Sequence, residues 1–425
     1  MICQAQGATA ARQAVRIAEM RARIARAVFL LGVVAGLPAA GLADQSREPT
    51  LAHMPLVSEH NHAALRSQTE RYRRIEASGG WPGIDNGPPL RAGDIDERTT
   101  QLRKRLEIEG FLGTGYGSSQ FDAAVENALK AFQEHHGLRA SGVLNGATRR
   151  ALNVPAAERL AQLTYSVDRI AELLSHARGG HYVLVNIPSF ELQVIARDRV
   201  LLYSRVIVGK TATPTPTLHA SIRAVDLLPY WHVPPSIAQR AIIPAIRKDP
   251  SYLARERIRV FSAWGGAEID PSTVNWYAPQ ATRYVFRQDP GPQNALGLVR
   301  IDMPNRFTVY MHDTPMKRLF NSRNRPYSAG CVRVQSILAL AGLLLGEDEP
   351  SIQRRLEPLL ASGTRASFKV AEPVPVLFTY LTAWPDVRGR LEFRNDLYTL
   401  DDQATDEVAT SETDPWHTRV IHISP

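Results

Sequence analysis

His312 and Cys331 are the two residues of this sequence whose types and context could do covalent chemistry. A cysteine at its ordinary pKa is only a few per cent thiolate at neutral pH, so a reacting thiol needs a base or nearby cations. The segment from Phe307 to His312 alternates apolar and polar residues, which predicts a strand with Tyr310 and His312 on one face. Gly330 permits a tight turn directly before Cys331. The pattern therefore predicts a thiol nucleophile and a histidine base.

These residues stand in a recognisable context. The order His312-Asp313-Thr314-Pro315, a basic loop, and Ser328-Ala329-Gly330-Cys331-Val332-Arg333 resembles the signature of the L,D-transpeptidases, whose YkuD-type catalytic domain crosslinks bacterial peptidoglycan through a cysteine. Three further stretches resemble the large periplasmic branch of that family: Pro229 to Pro234, Arg287 to Gly297 and Thr379 to Trp384. Together the resemblance covers roughly residues 60 to 402. Many members carry a second histidine before the glycine, and this chain has Ala329 there, so the resemblance leaves His312 as the base.

The resemblance implies an acyl transfer in two halves. Cys331 would attack the carbonyl of the third residue, diaminopimelate, of a tetrapeptide stem, and D-Ala would leave. The side-chain amine of a neighbouring stem would then take the acyl group, with His312 moving the protons. Backbone N–H groups of Gly330 and Cys331 are the expected oxyanion donors. No metal or organic cofactor is required by this scheme.

Four further residues are expected to bind substrate, and each also has a structural interpretation. Tyr310 offers a hydroxyl near the histidine or packs locally. Arg333 binds a substrate carboxylate or holds its loop through an ion pair, and Ser328 is a hydrogen-bonding loop residue. Trp276, with Trp264 and Tyr277, forms an apolar wall for substrate or the core of its own subdomain.

Other functions use the same residues differently. An L,D-carboxypeptidase would resolve the same thioester with water, and the sequence does not separate the two reactions. A wall-binding protein with an inactive catalytic domain is disfavoured by the presence of both His312 and Cys331. A protease acting on proteins is disfavoured by the wall-binding module described below and by the absence of a Cys-Trp nucleophile motif.

Residues 1–43 have the pattern of a cleaved secretory signal. Arginines precede the apolar run from Ala27 to Ala43, which ends in small residues. A proline and three glycines in that run make a poor membrane-spanning helix, the alternative interpretation. Met20 is an alternative start that would give a signal of more usual length. Cleavage after residue 43 would remove Cys3, leave Cys331 as the single thiol, and place the protein in the periplasm.

The charge balance favours an anionic partner. The chain has 50 Lys and Arg against 42 Asp and Glu, a formal charge of +8. Between residues 44 and 400, 44 basic residues face 35 acidic ones, a charge of +9. Export and the lack of any helix-turn-helix, zinc-ligand or RNA-binding pattern disfavour nucleic acid. Peptidoglycan is therefore the expected partner, with cell-wall synthesis proteins as further candidates, and the oligomeric state is left open.

A small helical module is expected ahead of the catalytic residues. Ala131 to Leu138 followed by Gly142 to Thr148 is similar to the type 1 peptidoglycan-binding domain. Apolar residues recur every three or four positions between Leu102 and Phe132, which predicts amphipathic helices. His135 and His136 are a poor metal pair, because neighbours on a helix point about 100° apart.

The expected fold is a multidomain α+β protein, with a mainly-β YkuD-like catalytic core that contains a helical lid insertion and follows a three-helix peptidoglycan-binding domain. The units after the signal, in chain order, are a helical segment and connector (44–90), the peptidoglycan-binding domain (91–155), a linking helix (156–180), the catalytic domain (181–400) and an acidic, disordered tail (401–425). Residues 234–293 are too long for a connection between strands, so we interpret them as a lid over the active site.

Overall fold

The computed structural model describes residues 54–115, 117–177 and 180–401. The predicted signal segment and the tail beyond Asp401 lie outside these residues. Within the described ranges, no helix combines the length and apolar character that crossing a membrane would need.

The first four helices of the described residues precede the catalytic region, and polar caps mark the start of three of them. They are α1 (Glu59–Ala77), α2 (Arg98–Glu109), α3 (Ala123–His135) and α4 (Gly146–Leu152). The side chains of Ser58, Asp122 and Asn145 accept the backbone N–H three residues on, and so satisfy a free donor in the first turn of α1, α3 and α4. Helices α2 to α4 enclose a separate apolar core that includes Leu102, Leu129 and Phe132. This confirms a three-helix module.

Helix α5 (Ala156–Ala177) follows and packs along α1. Both helices bury their apolar faces against the outside of the catalytic sheet, in one core with Tyr182, Leu184 and Leu377. The linking helix is therefore also a structural layer of the catalytic unit.

The first strands of the catalytic domain are β1 (His181–Asn186), β2 (Glu191–Ala196), β3 (Arg199–Gly209) and β4 (Leu218–Leu227). Strand β1 is buried at five of its six positions. Val183 and Val185 point into the sheet's interior core, whereas Tyr182 and Leu184 point to the core shared with α1 and α5. A strand covered on both faces reads as a continuous apolar run rather than an alternating one.

The chain then leaves the sheet for the lid. The lid contains β5 (Trp231–His232), α6 (Pro235–Ile237), a π-turn (Ala238–Ile242), α7 (Ile243–Lys248), α8 (Tyr252–Arg255), β6 (Ile258–Phe261), β7 (Glu268–Ile269) and β8 (Val285–Gln288). Helical segments run from Pro235 to Lys248, in line with the helical insertion that was expected. The lid also has its own four-stranded sheet, in the order β5-β8-β6-β7, which the sequence did not indicate. Its strands are two to four residues long, too short for a period-2 pattern to stand out.

One buried amide fastens the two ends of the lid. Asn294 donates from Nδ2 to the carbonyl oxygens of Pro229 (3.2 Å) and Asp289 (3.0 Å), and its Oδ1 accepts from the N–H of Leu296 (2.8 Å). The exit and return of the insertion are therefore adjacent, although Pro229 and Asn294 are 65 positions apart.

The chain returns to the large sheet. The elements in order are β9 (Val299–Asp302), β10 (Met311–His312), β11 (Pro326–Ser328), β12 (Val332–Val334), α9 (Ile337–Leu345), α10 (Glu349–Ser362) and β13 (Ala366–Thr379). Strand order is β11-β3-β12-β10-β9-β4-β13-β1-β2, and β2 also pairs with β3, so eight of the strands close into a ring. Helix α9, where the apolar run had predicted it, packs on the ring's core.

Two last strands, β14 (Ala383–Pro385) and β15 (Leu391–Phe393), form a hairpin outside the ring. The sequence predicted two strands between Val374 and Tyr398, joined at Asp386 to Gly389. The join is present, but the first strand is divided into the end of β13 and β14. The division occurs where Asn186 holds the turn, donating to the carbonyl of Leu381 (3.1 Å) and accepting from its N–H (2.9 Å).

Candidate active site

The candidate site lies on one face of the adjacent strands β10 and β12. These strands run parallel, with Met311 opposite Val332 and His312 opposite Arg333. Met311 and Val332 point into the ring's core. Because side chains alternate along a strand, Tyr310, His312, Cys331 and Arg333 share the opposite face. The sequence prediction that Tyr310 and His312 lie on one side agrees with their ring contact, at 5.7 Å between centroids.

Cys331 is held as a thiol by its surroundings. Burial raises the pKa of the Cys331 thiol, while hydrogen bonds from Tyr310 and the nearby charges of Arg333 and Arg300 act in the opposite direction without cancelling it. The Tyr310 hydroxyl is the side-chain hydrogen-bond partner of the sulfur. A thiol with a raised pKa must lose its proton to a base when it attacks, so the chemistry needs an acceptor nearby.

His312 is buried and neutral. Burial, followed by the charge of Arg333, lowers the pKa of His312 to about 3, and backbone carbonyls of Asp313 and Leu296 only partly offset this. Its Nδ1 lies 2.5 Å from the carbonyl oxygen of Asp313, which it can donate to. With this pKa the imidazole is neutral at pH 7 and is a weak base in this conformation. Among the described residues, the sulfur contacts Tyr310 and no hydrogen bond joins it to His312, so the direct pair expected from sequence is not formed in this conformation.

The strand that carries His312 is shorter than expected. Phe307 to His312 was predicted as a strand, but β10 contains only Met311 and His312. Thr308 has φ 54°, a left-handed conformation that cannot continue an extended strand. The side chain of Asn305 makes hydrogen bonds across this bend. Its Oδ1 accepts from the N–H of Phe307 (3.1 Å), and its Nδ2 donates to the carbonyl of Val309 (2.6 Å).

The loop before Cys331 fixes one peptide group. Gly330 has φ +124°, which side-chain-bearing residues rarely adopt. Its N–H donates to Oγ of Ser328 (3.1 Å) and its carbonyl accepts from Oγ1 of Thr215 (2.7 Å). In this conformation Ser328 occupies the Gly330 N–H, and the expected oxyanion role of that donor stays a prediction. Ser328 is a hydrogen-bonding loop residue here, and its expected contact with substrate stays a prediction.

Thr215 was not found from the sequence. Its hydroxyl also accepts from the N–H of Gly209 (2.8 Å), and Tyr398 donates to the carbonyl of Gly209 (2.7 Å). The N–H of Tyr398 in turn donates to the hydroxyl of Tyr380 (2.7 Å), which donates to Asp396 (2.6 Å). A buried chain of hydrogen bonds thus connects the nucleophile loop with the far edge of the domain. Thr215 lies 115 positions from Gly330, so no local pattern could reveal it.

Arg333 has no acidic partner among the described residues. Its Nε is buried without a hydrogen-bond partner there, and burial lowers the pKa of its guanidinium. The ion pair that the sequence left as one alternative is therefore not formed among the described residues. Arg300, the neighbouring cation on β9, is by contrast paired with Asp226 (2.6 Å) and Asp302 (3.2 Å).

Asp313 of the predicted motif is a structural residue. Its Oδ2 accepts from the N–H of Leu298 (2.9 Å), and its Oδ1 pairs with Lys317. Gly297 packs so closely that a Cβ there would lie 2.4 Å from the Asp313 carboxylate. These contacts hold the end of the lid connection against the strand that carries His312.

A lid residue does reach the site, but not the predicted one. Trp276 packs in the lid's own core against Phe286, with centroids 6.0 Å apart, and its Nε1 donates to the carbonyl of Pro271 (3.1 Å). The substrate-wall role is therefore not supported for Trp276. Trp231 hydrogen-bonds Tyr310 instead, and this bond acts against the burial that raises the pKa of Tyr310. Trp264 and Tyr277 are exposed.

One group of potential metal ligands lies away from this site. Among the described residues, His135, Asp386 and Glu392 place ligand atoms within 4.8 Å of one another. Nδ1 of His135 already lies 2.9 Å from Glu392, whose other oxygen is 2.9 Å from Arg394. These pairs connect α3 with the β14–β15 hairpin, and His136 points elsewhere.

Comparison with known proteins agrees with this architecture. Residues 180–376 match the family described as "L,D-transpeptidase catalytic domain" (YkuD), and residues 96–152 match the family described as "Putative peptidoglycan binding domain". The chain therefore contains a YkuD-type L,D-transpeptidase catalytic domain, preceded by a peptidoglycan-binding domain. Both predicted assignments are confirmed.

Individual relatives are similar over parts of the chain. A "Putative L,D-transpeptidase" of Haemophilus influenzae is 33% identical over 222 residues, which cover 52% of this chain and 45% of that protein. The N-acetylmuramoyl-L-alanine amidase CwlM of Mycobacterium tuberculosis is 35% identical over 80 residues, 17% of this chain and 20% of that protein. The chain thus spans less than half the length of these curated relatives. An L,D-transpeptidase structure from Stackebrandtia nassauensis has 12% identity and a TM-score of 0.25, covering 70% of this chain and 96% of that one.

Proposed function

We propose that the protein is a peptidoglycan L,D-transpeptidase with Cys331 as nucleophile and His312 as base. The observation that carries the proposal is the shared face of β10 and β12. There a thiol that is hydrogen-bonded to Tyr310 lies with a neutral buried imidazole and an arginine that has no acidic partner among the described residues, inside a domain of the YkuD family. Nucleophile, proton acceptor and cation are the groups that an acyl transfer by cysteine requires.

In the first half-reaction the sulfur attacks the carbonyl carbon of the third stem residue. A thioester forms, the C–N bond to D-Ala breaks, and His312 passes the thiol proton to the departing amine. The raised pKa of Cys331 makes this transfer simultaneous with attack rather than prior to it. Tyr310, which hydrogen-bonds the sulfur, orients it for attack.

Backbone geometry supports one oxyanion donor. Among the described residues, the N–H of Cys331 donates to no protein acceptor, whereas that of Gly330 is used by Ser328. In a trans peptide the carbonyl and the following N–H point in opposite directions. Thr215 therefore fixes the Cys331 N–H when it holds the Gly330 carbonyl, and that N–H is the donor we assign to the tetrahedral oxygen.

In the second half-reaction the side-chain amine of a neighbouring stem attacks the thioester. The new C–N bond forms, the C–S bond breaks, and the amine proton returns to sulfur through His312. Stem peptides carry several carboxylates, and Arg333 is a buried cation without an acidic partner among the described residues. We assign Arg333 to a substrate carboxylate.

The peptidoglycan-binding domain would keep the enzyme on its polymeric substrate. The match to a peptidoglycan-binding family supports association with the cell wall. Helix α3 of this domain contacts the β14–β15 hairpin, so the domain lies next to the catalytic domain. Export to the periplasm by residues 1–43 is part of the same proposal.

Mass spectrometry of muropeptides tests the reaction. Purified protein incubated with sacculi should release D-Ala and yield dimers joined through the third residue of the donor stem. Tripeptides without such dimers would assign the L,D-carboxypeptidase reaction instead. Unchanged tetrapeptides would contradict both.

An active-site label tests the nucleophile. A carbapenem should add one mass to the chain, on the peptide that contains Cys331, since the resemblance implies this susceptibility. Cys331→Ala and Cys331→Ser should remain unmodified, because a serine hydroxyl has a far higher pKa than the thiol. An adduct that persists in Cys331→Ala would assign the chemistry to another residue.

A further inference from the structure

A cavity lies where three parts of the chain meet. Its volume is about 260 Å³, and its walls come from α1, the peptidoglycan-binding domain and the β14–β15 hairpin. None of the residues assigned to catalysis lines it. The six lining residues that matter here are Arg71, Glu109, Phe111, His136, Arg388 and Arg390. Junctions between domains are a usual place for ligand sites.

The inner wall carries a buried acceptor without a partner. His136 is 5% exposed and lies between the rings of Phe132 and Phe393. Its Nδ1 donates to the carbonyl of Phe132 (2.8 Å), so Nε2 is the acceptor of the neutral ring. Among the described residues Nε2 has no hydrogen-bond partner. A buried acceptor of this kind favours a ligand that brings an N–H or O–H group.

The charge of the lining is positive. Arg71, Arg388 and Arg390 face a single lining acid, Glu109. The Glu109 carboxylate is already neutralised, because it accepts from the Tyr72 hydroxyl (2.6 Å) and lies 2.6 Å from Arg105 Nη1. Arg159, behind the wall and over the Phe393 ring at 4.5 Å, adds a further buried cation. An anion is therefore the ligand that this lining stabilises.

We propose that this cavity is a second, non-catalytic site that binds the carboxylate end of a peptidoglycan stem peptide. The arginines at its mouth pair with the carboxylate, and a peptide N–H donates to His136. The proposal rests on peptidoglycan being the polymer that the protein acts on. Its consequence is that a stem bound here would be gripped by both domains at once while another occupies the active site.

Calorimetric titration of the full chain tests the site. On a Cys331→Ala background, free tetrapeptide stem should bind at two sites per chain. Arg388→Gln with Arg390→Gln should bind at one site, with affinity for the second reduced about tenfold or more. Both arginine side chains are exposed at the hairpin turn, so the fold should persist. Arg150→Gln, which removes an exposed arginine of the peptidoglycan-binding domain outside the cavity, should keep two sites.

Two further ligands identify the source of the carboxylate. A stem amidated at its C-terminal carboxyl should lose the second site only. Glycan strands freed of peptide should not occupy it, and their binding there would overturn the assignment to the stem. Equal binding by the double variant and its background would overturn the site itself.

Turnover separates this proposal from the catalytic one. With Cys331 intact, the double variant should process soluble stems at the wild-type rate, because neither arginine touches the catalytic face. A protein that binds two stems but shows no D-Ala release would contradict the catalytic proposal and leave this site standing.

Discussion

At the scale of single residues, the peptide group between Gly330 and Cys331 is the most tightly determined part of the site. Ser328 holds one side of the loop and Thr215 the other. A donor aimed at a developing oxyanion contributes most when it is fixed before the reaction. The positioning of this peptide therefore depends on a threonine that never meets the substrate's reacting atoms.

Replacing Thr215 by valine removes the hydroxyl and keeps the shape. Acylation of Cys331 by a carbapenem should slow by about 10- to 100-fold, less than or equal to the usual loss of an oxyanion donor. Alkylation by iodoacetamide forms no oxyanion and should change little. Thr213→Val is the matched control, because Thr213 bonds the carbonyl of Ser328 and not that of Gly330. Parallel loss in both assays would assign Thr215 to general folding instead.

The pH dependence of acylation follows from the two pKa shifts. His312, with a pKa of about 3, stays neutral throughout the range from pH 5 to 8. If the thiol passes its proton to neutral His312 during attack, acylation should be nearly independent of pH over that range and rise only at higher pH, where the thiol itself ionises. Tyr310→Phe removes a hydrogen bond that lowers the pKa of Cys331, so its profile should move to higher pH.

Rates of carbapenem adduct formation, measured by mass spectrometry from pH 5 to 9, test both the expected pH profile of the wild type and the expected shift in Tyr310→Phe. Tyr310→Phe must first match the wild-type melting temperature. A fall in rate centred near pH 6.5 would mean that His312 titrates normally and is not buried as described.

Sequence reasoning reached the residues of the motif but not their partners. Cys331, His312 and the loop role of Ser328 follow from local residue types. Thr215 does not, because its contact with Gly330 is made only when β3 and the nucleophile loop are side by side. The sequence could not show that the Gly330 N–H donates to Ser328. The rotamer of Ser328, which places its hydroxyl next to that N–H, is set only in the folded loop.

At the scale of elements, the connection from the lid to β9 couples the insertion to the catalytic strand. Gly297 has φ +63° and packs against Asp313, while the carbonyl of Leu296 acts on His312. A shift in this connection would move the imidazole. Long periodic helices were predictable from their apolar spacing and caps, but this connection and the short lid strands carry no such period.

Gly297→Ala should therefore reduce both stability and activity. The added methyl meets the Asp313 carboxylate at 2.4 Å and the backbone is left-handed, so we expect about 2 to 4 kcal/mol lost from the free energy of unfolding. Gly265→Ala is the matched control, since Gly265 has φ +75° with no atom within 4 Å of the new Cβ. Urea denaturation and D-Ala release, compared between the two variants, isolate the packing against Asp313. Equal losses would leave only backbone strain as the cause.

At the scale of the whole molecule, the peptidoglycan-binding domain is joined to the rest by a buried charged cluster. Arg105 has a fully buried side chain, stacks on Trp81 at 3.6 Å and pairs with Glu109, whose side chain is 1% exposed. From sequence, residues 105 and 109 look like an ordinary i,i+4 surface pair, so the docking of the domain could not be predicted. Deleting residues 91–155 would expose this interface, and a point substitution is the cleaner probe.

Glu109→Gln leaves Arg105 without its buried counter-charge. Breaking a buried pair in this way should cost about 3 to 5 kcal/mol in the free energy of unfolding, measured by urea denaturation. Glu126→Gln, which breaks a more exposed pair with Lys130, should cost under about 1 kcal/mol. A Glu109→Gln cost as small as the control's would mean that the two domains are only loosely docked.

The amide of Asn294 joins the two ends of the lid and so makes the length of the lid nearly independent of the sheet. Because the insertion leaves and rejoins at one fastened point, its length hardly affects the closure of the ring, and doubling a loop costs only about 0.6 kcal/mol in entropy. Insertions, deletions or wholesale exchange between Pro229 and Asn294 can thus be tolerated in evolution while the thiol chemistry stays constant. The lid can therefore be exchanged as a unit, which changes what reaches Cys331 while the strands that hold Cys331 stay the same.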